Sequence, residues 1–505
     1  MPRPLLILVL LVTHVAHAGD PAVQAAREWR KTQGTSILEE FVEYLALPNV
    51  AADLPAIEKN AAYMAVELEK RGVQVEIWQH EAVTPVVYGR LDAPGATRTL
   101  GFYLHYDGQP VDPTQWSSSP WTPTLYDGSI EDGARRISFP AANESIDSDW
   151  RIYARSAGDD KAPFTAILAA LDALQHAGVT RTSNLVFFFE GEEEAGSVHL
   201  GDYMRQHRKQ LKVDGWLIMD GPVHQSRRPQ LVFGVRGYTG MDITVYGATR
   251  YLHSGHYGNW APNPAQMLAQ LLASMKNSNG DILVSGYFDS VNPLGDPERE
   301  ALGRLPDTDA DLRRELGLQQ TEGSGASLAE RLLLPSLNIR GMESARVGSA
   351  ARNIIPVRAE ASLDMRLVAG NNPSDMMALV EAHIREQGFH IVRVEPNNAT
   401  RLKHPKIAKV IRQHGYPAAR TPLDSEFARQ VISATRRVTG EELVILPAAG
   451  GSLPLYLFND ILKAPVIMVP IANHDDNQHA PDENLRLANL WYGIDLLAGL
   501  FTMQE

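Results

Sequence analysis

The sequence contains no cysteine, and this absence excludes several kinds of chemistry. Without cysteine the protein has no disulfide bond, no thiolate metal ligand and no cysteine for lipid attachment. Any metal ion must therefore be held by histidine and carboxylate side chains. An excess of basic residues is also missing, because 47 lysines and arginines stand against 60 acidic residues, for a net charge of -13. This balance argues against nucleic acid as a partner.

Long apolar runs are absent except at the amino terminus. Arg3 precedes the apolar run 5–12, and the small-residue pattern of Ala16 to Ala18 comes directly before Gly19. A basic start, a short apolar stretch and a small-residue cleavage site predict a secretory signal peptide over the first 18 residues. A retained membrane anchor is the competing interpretation, although the run is too short to span a bilayer as a helix. We therefore expect a mature protein that is periplasmic or secreted.

The length and the pattern of predicted elements favour a two-domain α/β protein. A chain of 505 residues exceeds what one hydrophobic core usually supports. Helices and short apolar strands alternate over 19–231 and again over 421–505, which predicts one catalytic domain with a mostly parallel sheet and helices on both faces. Residues 232–420 show strands of alternating polarity, which predicts an inserted α+β (ferredoxin-like) domain with helices on one face of a small sheet. Within that insert, residues 278–345 permit no assignment.

The most informative segment is an acidic run at the end of a predicted strand. Residues 185–189 are all apolar and are followed by the carboxylates Glu190, Glu192, Glu193 and Glu194. The apolar run predicts a strand buried on both faces, and ligand sites of parallel sheets gather beyond the carboxyl ends of their strands. Carboxylates crowded there repel one another unless a cation or a bound proton compensates. A solvated acidic turn is the alternative when the run is considered alone.

Four other segments place metal-type ligands after a predicted strand, before a helix or in a late loop. They contain His105 with Asp107, Asp159 with Asp160, the strand-end Asp220, and His479. In the first segment Asp107 can orient the imidazole if the strand continues, although a His-x-Asp pattern is common by chance. The other segments have structural alternatives too: an Asp that caps the following helix, and a loop histidine that bonds to its neighbours.

Taken together, these residues match a site for two metal ions. Two histidines, two of these aspartates and the Glu193–Glu194 pair supply an imidazole and a private carboxylate for each ion, with one carboxylate shared. Water on such an ion loses a proton near neutral pH and becomes a nucleophile, while the spare Glu serves as general base and proton donor. Because no arginine cluster or phosphate cradle accompanies the site, its chemistry fits amides better than phosphates.

The set of motifs resembles the two-metal exopeptidases related to carnosine dipeptidase, aminoacylase and bacterial glutamate carboxypeptidase. The resemblance rests on HYDGQP, GDDKAP, EGEEEAGS, a strand-end Asp, LHSGHYGN, NIIP and QHAPDE, in matching order over nearly the whole mature chain. It implies two metal sites with Asp159 as the bridge: His105, Asp159 and Asp220 for one ion, and Asp159, Glu194 and His479 for the other. It also implies that Glu193 is the general base, and that Asp107 is the partner of His105.

The resemblance further implies a lid domain that forms a dimer, and residues that meet the substrate. His253 matches a histidine that reaches the partner subunit's site and stabilises the oxyanion there. Arg366 matches the residue that clamps the substrate carboxylate, a task that suits a fork of donors. Without the resemblance, His253 is a turn residue and Arg366 a solvent-facing strand residue. The other substrate-binding matches are Asn353, Gly450, Gly451 and Ser452.

The resemblance also implies a cis peptide bond between Asp159 and Asp160. The sequence departs from the family at Ala162, where relatives usually have Gly, and at the extra Glu192. The stretch 278–345 does not align with the family. These departures leave the chemistry intact but put the choice of substrate in doubt.

The predicted function is hydrolysis of an amide next to a free carboxylate, in dipeptides or at the C-terminus of short peptides. Two divalent ions are expected, with zinc as the first choice and manganese or cobalt as alternatives. The alternative among enzymes is a deacylase of N-acyl amino acids, because the same site serves both reactions. A non-catalytic peptide-binding scaffold is the alternative from another class. We expect a homodimer, no nucleic-acid partner and no membrane span after signal cleavage.

Overall fold

The computed structural model describes residues 20–504, apart from 143, 324 and 452. The predicted signal peptide and the predicted substrate residue Ser452 therefore lie outside the described residues. Within the described part of the chain, no helix is both long and apolar enough to cross a bilayer.

The spacing of apolar residues predicts helices over 37–47, 56–71, 162–176, 264–275, 375–387 and 424–438, and each of these ranges overlaps a helix of the structure. The helix Ala162–Ala177 is followed by Gly178 in the left-handed conformation, at φ 65°. Over the described residues the α-helices are α1 (Pro21–Thr32), α2 (Gly34–Leu45), α3 (Leu54–Lys70), α4 (Ala162–Ala177), α5 (Leu200–Gln206), α6 (Ser254–Tyr257), α7 (Pro264–Met275), α8 (Asp296–Gly303), α9 (Asp309–Glu315), α10 (Leu328–Leu332), α11 (Pro373–Glu386), α12 (Asn398–Lys403), α13 (Glu426–Thr439) and α14 (Leu487–Phe501).

The strands of the described residues are β1 (Gln74–Trp78), β2 (Val86–Leu91), β3 (Arg98–His105), β4 (Thr124–Tyr126), β5 (Arg136–Ile137), β6 (Arg151–Tyr153), β7 (Ser183–Glu190), β8 (Gly215–Ile218), β9 (Gln230–Val232), β10 (Gly234–Val235), β11 (Gly237–Tyr246), β12 (Leu252–His253), β13 (Ser336–Glu343), β14 (Ile354–Ile355), β15 (Arg358–Leu367), β16 (His390–Val392), β17 (Ile407–Arg412), β18 (Ala419–Arg420), β19 (Val444–Leu446), β20 (Val466–Met468) and β21 (Asn484–Arg486). The apolar patterns of the sequence predict strands over 73–78, 99–103, 184–189, 216–219, 240–246, 359–367, 389–394, 443–446 and 465–469. Each of these ranges contains a strand of the structure or overlaps one, although β16 is shorter than the predicted 389–394.

The largest sheet is mixed, with a parallel centre. Its strand order is β1-β2-β7-β3-β8-β20-β9-β19, and the neighbours from β7 to β20 run parallel. Strand β7 alternates between two cores, because Leu185, Phe187 and Phe189 face the core built with α4 and α14, whereas Val186 and Phe188 face the core built with α5. The prediction of a mostly parallel sheet with helices on both faces is confirmed, and so is a strand buried on both sides.

A second sheet of five strands has the order β13-β15-β11-β17-β16, and all of them fall between residues 237 and 412. Along β15 the apolar residues of one face, such as Leu363 and Met365, are buried under α7 and α11, while the intervening residues are half-buried. This is the predicted small sheet with helices on one face. The short pair β10–β18 joins residues 234–235 to 419–420, close to the predicted domain boundaries, which stay predictions. Segment 278–345 contains α8, α9, α10 and the whole of strand β13, which is mostly exposed.

A small antiparallel sheet, β21-β6-β4-β5, lies next to the predicted site. Strand β6 leads into the loop that contains Asp159, and β21 directly follows Glu483. Because Asn484 pairs with Tyr153 in this sheet, the two loops are brought together at its end. Sequence patterns had not indicated this sheet, since its strands are only two or three residues long.

Candidate active site

Three adjacent strands of the large sheet place site residues at one edge. The order β7-β3-β8 is parallel, so the carboxyl ends of these strands lie side by side. His105 is the last residue of β3 and pairs with Glu190 at the end of β7. Asp220 follows β8, and a single turn of 3-10 helix that begins at Glu193 follows β7. The sheet thus brings together side chains from motifs far apart in the sequence.

The first group of possible ligands consists of His105, Asp159 and Asp220. All three are buried, and one ligand atom from each lies within 4.8 Å of the others. The closest contact joins Nε2 of His105 to Oδ1 of Asp159 at 2.8 Å. These are the three residues that the family resemblance implies for one metal ion.

The second group consists of Asp159, Glu194 and His479, which also lie within 4.8 Å of one another. Nε2 of His479 is 3.2 Å from Oδ2 of Asp159 and 3.2 Å from a carboxylate oxygen of Glu194. The two oxygens of Asp159 therefore face different histidines, which is the arrangement that a bridging carboxylate requires. His479 has a side chain that is 53% exposed, so this group opens toward solvent whereas the first does not.

The residues present fit two divalent cations. At metal–ligand distances of 2.0–2.1 Å, neighbouring donor atoms of a tetrahedral site are separated by roughly 3.3 Å, close to the contacts found here. Burial, with the charge of Asp159, raises the pKa of Asp220 to about 6. The same causes raise the pKa of Glu194 to about 7. These shifts arise because several carboxylates are buried together, and this burial outweighs the opposing effect of charge on His105 and His479.

Asp107 is fully buried and holds the turn that contains the glutamate pair. Its two carboxylate oxygens accept hydrogen bonds from the backbone amides of Glu193 and Glu194, each at 3.0 Å. Its contact with His105 is different, because Nδ1 of the imidazole lies 3.1 Å from the backbone carbonyl of Asp107 and 3.4 Å from its carboxylate. Because strand β3 ends at His105, the chain turns there and places the backbone carbonyl of Asp107 beside the imidazole. Sequence reasoning identified Asp107 but missed its bonds to the glutamate turn.

The acidic run is divided between the site and the interior. Burial, aided by the charge of Asp220, raises the pKa of Glu193 to about 9. Glu190 is buried and accepts a hydrogen bond from the hydroxyl of Tyr103. Glu192 accepts hydrogen bonds from the hydroxyl of Thr84 at 3.0 Å and from the backbone amide of His199 at 2.6 Å. Because Glu190 and Glu192 bond to other segments of the chain, the acidic run is not the solvated turn of the alternative interpretation.

Two glutamines that the sequence reasoning did not single out also reach the ligand groups. Nε2 of Gln109 donates to Glu194 at 2.7 Å, and Nε2 of Gln478 donates to Oδ2 of Asp159 at 2.7 Å. Gln109 belongs to the HYDGQP motif and Gln478 to the QHAPDE motif. Their closeness in sequence to His105 and His479 is the only feature of the sequence that could have indicated a place in the site. Each amide donates to the same carboxylate oxygen that the imidazole of His479 approaches, and so helps to orient that carboxylate.

The peptide bond between Asp159 and Asp160 is cis, as predicted. Neither aspartate caps α4, because the residue before the helix is Lys161 and its side chain makes no capping bond. Lys161 is itself buried, and its ammonium donates to the backbone carbonyls of Tyr44 and Leu47 at 2.8 Å each. The helix-capping alternative for the two aspartates is therefore wrong.

The predicted substrate residues lie in two other places. Arg366 stands on β15 with its guanidinium carbon 5.5 Å from the centre of the Tyr238 ring and its Nε 3.8 Å from a carboxylate oxygen of Asp364.

The predicted glycine turn contacts a second arginine, because the backbone carbonyl of Gly451 accepts a hydrogen bond from the backbone amide of Arg236, at 3.2 Å. Arg236 is buried beside Arg366, and burial with that second charge lowers its pKa to about 10. No sequence pattern indicates that Arg236 lies beside these predicted substrate residues. A Cβ atom at Gly450 would come within 3.1 Å of the side chain of Leu332, so the space beside this glycine is small.

His253 and Asn353 lie together on the inserted domain. Strands β12 and β14 pair His253 with Ile354, and the amide of Ser254 donates to the carbonyl of Asn353 at 3.0 Å. Both predicted residues are exposed. Among the described hydrogen bonds and ion pairs, none connects them to the two ligand groups of the same chain. The role that the resemblance gives them involves a second subunit and stays a prediction.

Comparison with known families and proteins gives consistent matches. The family model described as "Peptidase family M20/M25/M40" matches residues 101–503. A Cys-Gly metallodipeptidase of Schizosaccharomyces pombe is 28% identical over 486 residues, which cover 91% of this chain and 94% of that protein. The human Beta-Ala-His dipeptidase is 27% identical over 501 residues, covering 95% of this chain and 90% of the relative.

Solved structures give the same fold. An M20 family metallo-carboxypeptidase from Sulfolobus solfataricus superimposes with a TM-score of 0.71 and 26% identity, over 92% of this chain and 98% of that one. Human carnosine dipeptidase 1 superimposes with a TM-score of 0.64 and 23% identity, over 95% of this chain and 99% of that one. The catalytic sheet and the five-stranded sheet are both within these matched lengths.

Proposed function

The chain belongs to peptidase family M20/M25/M40 and is a metallodipeptidase, and we propose that it cleaves unblocked dipeptides with Glu193 as general base. The observation that carries this proposal is the pair of ligand groups that share Asp159. A shared carboxylate with one histidine on each side is the donor set of a two-metal hydrolase. The turn of Glu193, fixed by Asp107, lies at the same edge of the sheet.

The residues of the chain divide the reaction into binding and proton transfer. Two bound divalent ions would supply Lewis acidity, which lowers the pKa of a water molecule and polarises the scissile carbonyl. Glu193 takes the proton from the attacking water and passes it to the leaving nitrogen. Arg366 binds the free carboxylate of the substrate through its fork of donors. The partner subunit's His253 stabilises the negative charge that develops on the carbonyl oxygen.

The activities of the matched relatives indicate which substrates to propose. The matched proteins are dipeptidases for Cys-Gly and for Beta-Ala-His, and their lengths are covered almost completely. We therefore propose short substrates with a free amino group and a free carboxylate. Zinc is the proposed ion because imidazole and carboxylate donors suit it, with manganese and cobalt as alternatives.

A panel of dipeptides assayed on metal-quantified protein tests the proposal. The panel contains Cys-Gly, Beta-Ala-His and several Ala-Xaa dipeptides, together with N-acetyl amino acids as the deacylase control. We expect two metal ions per chain and release of both amino acids from at least one group of dipeptides. Release of acetate from the N-acetyl amino acids without dipeptide cleavage would establish the deacylase instead. Protein without bound metal and without either activity would support the binding scaffold.

Dimerisation and export are further parts of the proposal. We propose a homodimer through the inserted domain, because the exposed His253 is otherwise without a place in the reaction. Mixing Glu193→Gln protein with His253→Ala protein tests this, since mixed dimers hold one site with both wild-type residues and regain activity. Export to the periplasm or the medium rests on the amino-terminal pattern alone. Fractionation and amino-terminal sequencing of the mature protein test it, with Gly19 as the expected first residue.

A further inference from the structure

Glu483 is a completely buried carboxylate that binds the loop of Asp159 through backbone amides. One of its oxygens accepts from the amides of Gly158 and Asp159, at 3.0 and 2.9 Å. The other accepts from the amide of Ser156 at 2.7 Å and from the guanidinium of Arg155 at 2.8 Å. Four donors from one five-residue segment therefore converge on a single side chain that lies more than 320 residues away in sequence.

Arg155 extends this contact to the loop of His479. Its guanidinium is 3% exposed, pairs with Glu483 and also donates to the carbonyl of Ala480, the residue after His479, at 3.3 Å. The indole ring of Trp116 covers the guanidinium at 5.0 Å. The segments on either side are tied as well, since β6 and β21 pair directly before and after these loops. The Arg155–Glu483 ion pair thus joins the loop of one possible ligand to the loop of another.

The spacing of the two ligands depends on this connection. Asp159 and His479 both lie in loops outside the large sheet, whereas His105 and Asp220 are placed by adjacent strands of it. His479 also has a left-handed backbone, at φ 62°, which its loop must maintain. A buried carboxylate with four donors cannot move without leaving charge or amides unpaired in the interior, so it resists changes in the loop.

From these contacts we infer that Glu483 is a positioning residue for the metal site, which holds Asp159 at the distance from His479 that a shared ion requires. This inference rests on the proposed two-metal site, not on the identity of the substrate. Glu483 belongs to neither group of possible ligands and acts only through the Asp159 and His479 loops. Partners that orient ligand residues typically change metal affinity about 10- to 100-fold when they are replaced.

Glu483→Gln tests the inference, because glutamine has nearly the same shape but only one accepting oxygen. Its amide group must face one of the two donor pairs, which breaks half of the contacts. Metal-free protein is titrated with Zn²⁺ in competition with a chromogenic chelator. We expect the weaker of the two dissociation constants to rise about 10- to 100-fold. At saturating Zn²⁺, kcat for a cleaved dipeptide should recover at least partly while KM changes little.

Glu381→Gln serves as the matched control in the inserted domain. Glu381 is also buried, and it pairs with Arg393 and Arg412 at 2.8 Å each. Its replacement removes a buried carboxylate of the same kind and should leave both Zn²⁺ constants unchanged. Equal weakening in Glu381→Gln and Glu483→Gln would show a general effect of lost stability and overturn the inference. Wild-type Zn²⁺ affinity in Glu483→Gln would overturn it too.

Arg155→Lys gives a second measurement if Glu483→Gln does not fold. Lysine keeps the charge beside Glu483 but cannot also reach Ala480, so the link to the His479 loop is lost. We expect Zn²⁺ binding to weaken more than in Glu381→Gln even where the two metal-free variants lose similar thermal stability, and unchanged Zn²⁺ binding would overturn the inference. Wild-type protein that binds no second ion would overturn the proposed function and the inference together. Wild-type binding with unaffected variants contradicts only the inference.

Discussion

The carboxylate of Asp107 accepts a hydrogen bond from the backbone amide of Glu193, across 86 residues of sequence. The same carboxylate binds the amide of Glu194, so the proposed base and its neighbouring ligand are fixed on one turn. Because both bonds go to backbone atoms, the two side chains remain available for different tasks. A turn that is held through its backbone explains how one acidic run can supply both the proposed metal ligand and the proposed proton carrier.

Replacing Glu193 by Gln should remove the proton carrier and leave the metal ligands in place. Glutamine keeps the size of the side chain but cannot accept the proton of the water, so we expect kcat to fall by about 10²- to 10⁴-fold. Metal analysis should still find two ions per chain. Glu194→Gln is the contrasting variant and should lose one ion. Turnover near the wild-type rate in Glu193→Gln would refute the assigned role.

Arg366→Lys should weaken binding of the substrate carboxylate more than it slows the chemical step. Lysine keeps the charge but loses the paired donors, and a hydrogen bond to a charged group contributes about 1.5–3 kcal/mol. We expect KM for a dipeptide to rise about 10- to 100-fold. The control substrate is the same dipeptide with a C-terminal amide, which wild type should bind poorly. If the C-terminal amide raises KM by the same factor in wild type and in Arg366→Lys, then Arg366 does not bind the substrate carboxylate.

The ends of the parallel strands were predictable because their signal is local. An unbroken apolar run followed by a polar residue identifies β3, β7 and β8, and parallel neighbours must end at the same edge. His105 and Asp220 come directly after such runs, so their meeting followed from sequence. Asp159 and His479 lie in loops, and their place in the site came from the family resemblance and not from any periodicity.

The contacts that hold these loops were not predictable from sequence. The bonds of Glu483 to the Asp159 loop join segments more than 320 residues apart, and no local pattern distinguishes this glutamate from a solvated one. The secondary structure of segment 278–345 was not predictable from sequence either. Helices α8 to α10 are only five to eight residues long, too short for a clear apolar period. The position of Arg236 beside Arg366 is likewise visible only in the folded protein.

Removal of metal should lower the stability of the protein, and added metal should restore it. Ions that bind only the folded chain stabilise it by about 2.7 kcal/mol at 100 times the dissociation constant. We expect the melting temperature of chelator-treated protein to rise with Zn²⁺ concentration. Glu194→Gln should show a smaller rise at each concentration, because one ligand group is incomplete. An identical rise in wild type and Glu194→Gln would mean that Zn²⁺ binds elsewhere.

The inserted domain should lose stability in acid through Glu381. This side chain is buried, and although burial alone would raise its pKa, hydrogen bonds from Arg412 and Arg393 hold the pKa below the ordinary value for glutamate. A carboxylate with a lowered folded pKa contributes stability above its unfolded pKa, which is about 4.3, and loses that contribution as the pH falls toward the folded value. Glu381→Gln should therefore cost about 1–3 kcal/mol at pH 7, and wild type and variant should converge in urea unfolding below about pH 4. A difference that stays constant from pH 7 down to pH 3 would show that the charge of Glu381 contributes nothing.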